Sequence, residues 1–151
     1  MQSLRQAIGL LGYAPLYRWL VLLLATASSS GYSPVLMETA VVRARLCELL
    51  GQKALPKGEG EYLFVAGMFS LLDRLLGLPM QDVLDTVQLP EQVVRALLER
   101  DGVYGPYLAL AEACELNSAL VGSLAASLDI SPHDVNKAHL SALAWAQNVA
   151  V

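Results

Sequence analysis

Apolar residues recur along this chain at the three- and four-residue spacing of helices, and glycine and proline punctuate the pattern. Ser3 and Gln6 read as a capping box. Leu4, Ala7, Ile8 and Leu11 then fall on one face, and Gly12 stops the run. Pro15 opens a second helix reaching Ser28, and Ser33–Pro34 opens a third that stops at Gly51. "GQKALPKGEG" is a connection, after which a fourth helix runs from Glu61 to Gly77. Pro79 and Pro90 start two shorter helices and "DGVYG" is a turn. A long helix spans Pro106 to Leu128, and the last begins at Ser131–Pro132 and reaches Ala150. No run alternates with the period of two expected of a strand. The pattern predicts a single all-α domain over residues 1–151, a bundle of about seven to eight helices.

The fourth helix has a broad apolar stripe of Phe64, Met68, Leu71, Leu72, Leu75 and Leu76. A narrow strip beside it, Leu63, Ala66, Gly67, Ser70 and Gly77, is rich in small residues that let helices approach closely. Both features predict a buried centre helix. Composition agrees: 55% of the 151 residues are hydrophobic and 16% charged, against about 25% charged in ordinary soluble domains. That excess leaves apolar surface for a partner. The most apolar run, Trp19 to Ala27, is shorter than the ~20 residues a membrane span needs. It reads as a buried helix, so no membrane association is expected.

Charge narrows the function classes. The net charge is −4 and the pI near 5.0, and Lys and Arg form no run. A nucleic-acid partner, including a helical DNA-binding module, is therefore disfavoured. Cys47 and Cys114 lie among apolar neighbours in separate helices and read as reduced core or near-core thiols. No CxxC, HExxH, GxSxG, P-loop or GxGxxG occurs. His133–Asp134 resembles a metal-binding dipeptide, but Ser131 is an N-cap, Pro132 the first helical residue and Asp134 a capping acid. His139 is about 240° further round the same helix, so the two imidazoles cannot share one ion there. Glu112 and Glu115 can in principle form an acid–base pair, yet on an amphipathic helix they read as a solvated edge. Arg45 and Glu48, three apart, read as a surface pair. Trp145 reads as core or as an interface anchor.

"YLFVAGMFSLLDRLLGLPMQDVL" followed by "GVYGPYLALAEACE" resembles the HDOD domain, the HD-related output domain. The likeness is nearest to the version at the C-terminus of bacterial proteins that carry an EAL domain. "SLRQAIGLLG", "LYRWLVLLLA" and "VVRARLCELLG" fit the same family. The resemblance implies an HD-domain-like bundle. HD-superfamily hydrolases commonly read "AGLLHDIG" at their central helix, where His and Asp hold metal. "AGMFSLLD" here puts Ser70 in the His position and Leu71 in the Asp position. An earlier metal-binding His is matched by Thr39 in "TAVVRARLCELLG". A neutral hydroxyl is a poor ligand for such a metal and leucine is none.

The resemblance therefore implies a non-catalytic signalling output domain, cytoplasmic and bacterial, with no cofactor. Its parent protein would act in cyclic di-GMP signalling, with an EAL-type domain in the same chain as partner. HDOD domains resemble this chain only from their middle onward. The expectation is thus a domain lacking its N-terminal helices, with homo-oligomerisation through the face those helices would cover. Thr39, Ser70 and Leu71 mark the altered site, and Arg43, Arg45, Glu48 and Trp145 are candidate contact residues, the first three taken as exposed. The rival expectation is a metal-dependent HD-type phosphohydrolase using His133, Asp134, Glu112 and Glu115.

Overall fold

A computed structural model of the protein describes residues 34–85 and 89–149. Among the described residues there are helices and turns and no strand, as the apolar spacing requires. The helices are α1 (Pro34–Gly51), α2 (Gly60–Phe69), α3 (Leu72–Leu76), α4 (Met80–Asp85), α5 (Glu91–Glu99), α6 (Gly105–Glu115), α7 (Val121–Ser127) and α8 (Pro132–Val149). The expected helices over Ser3–Gly12 and Pro15–Ser28 lie outside the described residues, as does the apolar run Trp19–Ala27. No described helix is long and apolar enough to cross a membrane.

The centre is α2, as its composition predicts. Every residue from Leu63 to Phe69 is buried, so the helix is covered on all sides. It packs on α1, α5 and α6, while α8 closes over α1. Gly67 makes the closest approach: a Cβ there would stand 2.6 Å from the Ala44 Cα and 2.9 Å from the Arg43 carbonyl oxygen. Only a residue without a side chain lets the α1 and α2 backbones meet at this distance. Phe64 of α2 meets Trp145 of α8 edge-to-face, with ring centroids 5.9 Å apart, which joins the last helix to the centre.

Two expected helices are each divided. The segment Glu61–Gly77 breaks after Phe69, and Leu71 leaves helical geometry at φ −112° and ψ 0°. The Ser70 hydroxyl donates to the Gly67 carbonyl at 2.6 Å, so a side chain competes with the backbone for that acceptor. The segment Pro106–Leu128 breaks after Glu115. Asn117 takes φ 50°, the Ser118 N–H turns back to the Ala113 carbonyl at 2.9 Å, and the Ser118 hydroxyl accepts from the Leu120 N–H. Asn and Ser in "LNSAL" offer these local bonds where a continuous helix would need none.

Candidate functional site

The break at Ser70 faces a buried polar cluster. Arg43 lies in the middle of α1, only 6% exposed, and its guanidinium is surrounded by oxygens. Nε and Nη2 donate to the two carboxylate oxygens of Glu115 at 2.7 and 2.6 Å. Nη1 donates to Ser70 Oγ at 2.9 Å and reaches Glu112 Oε2 at 3.5 Å. Arg100, at the left-handed C-cap of α5, holds Glu112 in turn, with Nε donating to Oε1 at 2.5 Å and Nη2 to Oε2 at 3.1 Å. Its Nη1 also closes the α5 C-terminus by donating to the Ala96 and Leu97 carbonyls. One network thus ties α1, the α2–α3 break, α5 and α6 together.

This arrangement corrects two expectations. Arg43 is not exposed, and Glu112 and Glu115 are not a solvated edge. The reason is mutual: Ala40, Leu46 and Cys47, the neighbours of Arg43 one turn away on α1, are all buried. The face that carries Arg43 must enter the core, and a charge can do so only with its counter-ions. Burial alone would push the Arg43 pKa down. The paired bonds and charge of Glu115, together with Glu112, outweigh it and hold the guanidinium charged. Cys47 experiences the same dry environment. Burial pushes its thiol well up, against the opposing pull of the Arg43 cation. Cys47 and Cys114 are both free thiols, one buried and one half-buried, as expected of core and near-core positions.

Of the three altered-site positions, Ser70 and Leu71 stand together at the α2–α3 break, 5% and 2% exposed. Ser70 belongs to the Arg43 network and Leu71 to the apolar core. Thr39 is one turn before Arg43 on α1, but its hydroxyl donates to the Val35 carbonyl of its own helix at 2.8 Å rather than joining the cluster. Arg45 and Glu48 pair on α1 at 2.6 Å. Both are half-buried, and the Arg45 guanidinium lies 5.4 Å from the centre of the Trp145 ring. These contact candidates are therefore engaged with one another at the α1–α8 seam. Trp145 takes the core side of its two readings by packing on Phe64.

His133 and Asp134 are placed as the capping reading requires. The Asp134 N–H donates to the Ser131 hydroxyl at 3.1 Å at the start of α8, and His133 is exposed there. Glu112 and Glu115 are committed to arginines elsewhere in the fold. Every Asp, Glu, His and Cys of the sequence lies among the described residues, and no three of them gather as metal ligands would. A separate groove of about 500 Å³ runs between the C-terminal end of α1, the Leu128–Ile130 connection and α8. Leu50, Leu128 and Ile130 line it, with Lys53 and Lys137 also on its wall. Sequence reasoning took Arg43 for an exposed contact residue rather than the centre of a buried cluster, and missed Arg100 altogether. The signal for Arg43 was present in "AVVRARLC", where it stands on the apolar face. Arg100 gave none, because its role depends on where α5 ends in space.

Two curated proteins are similar to this chain over nearly its whole length. An uncharacterized protein of Bacillus subtilis (strain 168), YuxH, is 31% identical over 153 residues, covering 99% of this chain and 37% of its own. The cyclic di-GMP phosphodiesterase CdgJ of Vibrio cholerae serotype O1 is 31% identical over 150 residues, covering 99% of this chain and 35% of its own. The chain thus spans little more than a third of the length of these relatives. No protein-family profile matches the chain, and no solved structure matches it.

Proposed function

We propose that this chain is a regulatory, HDOD-like domain of a cyclic di-GMP signalling protein, working in the cytoplasm through contacts with other protein domains rather than by breaking bonds. The observation that carries this reading is the occupancy of the polar cleft at Ser70. A metal-dependent hydrolase needs a vacant, ligand-lined position where a divalent ion can activate water. Here the corresponding cleft holds the Arg43 guanidinium, locked to Glu115, Glu112 and Ser70. Leu71 beside it contributes no donor atom. The similarity to CdgJ supports the signalling context. More than half of that relative lies outside the matched part, which leaves room for a separate catalytic domain of the EAL type.

Relay through contacts requires surfaces. The half-exposed edge of the α1–α8 seam at Arg45 and Glu48 is one proposed contact region, and the apolar excess of the sequence favours association with a second copy or a neighbouring domain. The decisive experiment compares the purified chain with the native full-length protein in a cyclic di-GMP hydrolysis assay with Mg2+ or Mn2+. The isolated chain should show no turnover, while Arg43→Ala in the full-length protein should change the rate of an attached catalytic domain. Turnover by the isolated chain that disappears in His133→Ala would establish the hydrolase instead. Sedimentation at tens of micromolar should show self-association of the isolated chain; a clean monomer would remove that part of the reading.

A further inference from the structure

We infer that the outward face of α8 is a homodimer interface, where two copies of this chain lie antiparallel, α8 against α8, about a two-fold axis. The inward side of α8 carries Val135, Ala142 and Ala146, all buried. On the outward side Asn136, Leu140, Leu143 and Gln147 are exposed, Leu140 at 68% and Leu143 at 41%. Their steps of four, three and four residues are those that align side chains into a seam for a second helix. The exposed side of α5 shows the ordinary alternative, with Leu98 set among Glu91, Arg95 and Glu99. From Ala138 to its end, α8 carries no Asp, Glu, Lys or Arg. Two leucines in a charge-free seam are costly to leave in water.

The polarity of the seam selects its occupant. Read from either end it runs amide, leucine, leucine, amide. With the two-fold axis midway between Leu140 and Leu143, each Leu140 faces Leu143 of the second copy and each Asn136 faces Gln147 of the second copy. Leucine is buried against leucine, and each amide meets a group that both donates and accepts. A parallel pair would also match like with like, but it would set Lys137 beside Lys137 of the second copy and align the helix dipoles. The antiparallel pair brings Lys137 to the negative C-terminal end of the opposite helix. The seam offers an acidic or basic partner no charge to bind, whereas a copy of itself matches it in both polarity and register. The 18 residues of α8 give a contact roughly 27 Å long. One helix pair of that length falls at or below the lower end of the about 1,200–2,000 Å² buried in stable interfaces, so the dimer is a weak one. The inference gives a face and a register to the self-association proposed above and rests on that part of the reading alone.

The test is sedimentation equilibrium of the purified chain and its variants, with helicity checked by far-UV circular dichroism. Wild type should dimerise with a Kd of roughly tens of micromolar, and Leu140→Glu and Leu143→Lys should each weaken this by about tenfold or more. Mixed in equal amounts, the two variants should associate again. The antiparallel register sets Glu against Lys at one contact and keeps leucine against leucine at the other. A parallel pair would offer neither match, so failure of the mixture to associate overturns the register. Leu98→Glu on α5 is the control and should leave the Kd unchanged; an equal loss there overturns the inference. If a charged variant loses helicity, Leu140→Ala/Leu143→Ala keeps good helix formers at both positions and should weaken association as much. A wild type that stays monomeric at about 100 μM overturns both the inference and the proposed self-association. Dimerisation that the α8 variants leave unchanged overturns the inference alone, and the regulatory reading is decided separately by the hydrolysis assay.

Discussion

Arg43 and Glu115, 72 residues apart in sequence, share two hydrogen bonds of 2.7 and 2.6 Å in the interior, so that both carboxylate oxygens face one guanidinium. This pair fastens α1 to α6. Breaking a buried pair by removing one partner leaves an uncompensated charge and costs about 3–5 kcal/mol. Arg43→Ala and Glu115→Ala should each lose that order of stability in urea unfolding. The double variant should lose less than their sum, since neither charge is then stranded. A loss below about 1 kcal/mol in both single variants, the range of a surface ion pair, would mean the bridge is not buried in solution.

Gly67 and Gly122 should respond oppositely to alanine. At Gly67 the new methyl would meet the backbone of Ala44 and Arg43, which cannot swing aside as a side chain can. Overpacking of this kind costs about 1–3 kcal/mol. At Gly122 in α7 a Cβ meets nothing within 4 Å, and alanine is the better helix former by up to about 1 kcal/mol. Thermal unfolding of the two variants checks the pair. A tolerated Gly67→Ala would show that α1 and α2 do not pack this closely.

The two thiols should react in order. Cys47 is fully buried with its pKa pushed up by that burial, and Cys114 is half-buried with a smaller rise from partial burial and the nearby Glu115 charge. A thiol reagent should modify Cys114 in the native protein and reach Cys47 only on unfolding. The pH dependence follows with a definite sign. Above the ordinary value of 9.0 the unfolded chain releases the Cys47 proton while the folded chain keeps it. Stability should therefore fall as pH rises past that point, and Cys47→Ala should lessen the alkaline loss. Equal labelling of both cysteines in the native state would contradict this.

Ser131→Ala removes the acceptor for the Asp134 N–H at the head of α8. The loss should be about 1 kcal/mol, with no change in any hydrolytic activity. Ser131→Asp should retain most of the stability, and an equally large loss with Asp would argue that the hydroxyl does something other than cap.

How much was legible can be traced through particular residues. The glycines and prolines that bound α1, α5 and α8, and the Ser131 cap, are local signals and read correctly. The buried character of α2 followed from its broad apolar stripe and the strip of small residues beside it. The breaks at Ser70 and Asn117 were harder to read, because a serine or asparagine within a helical pattern is tolerated when its side chain faces water. Whether it bends the chain depends on which acceptor lies within reach.

Periodicity, capping residues and apolar content are properties of neighbours along the chain, so the sequence alone determined that this protein is helical, where most helices begin and end, and which one lies at the centre. It also showed that no CxxC pair occurs and that His133 and His139 fall on different faces of one helix. Which charges meet is a property of neighbours in space. Only the tertiary structure brought Arg43 to Glu115 and Ser70, and Arg100 to Glu112, converting residues that read as surface charges into the ionic interior of the bundle. The physical reason is that a lone charge belongs in water, and it becomes a core group only when packing delivers an opposite charge from a distant part of the chain.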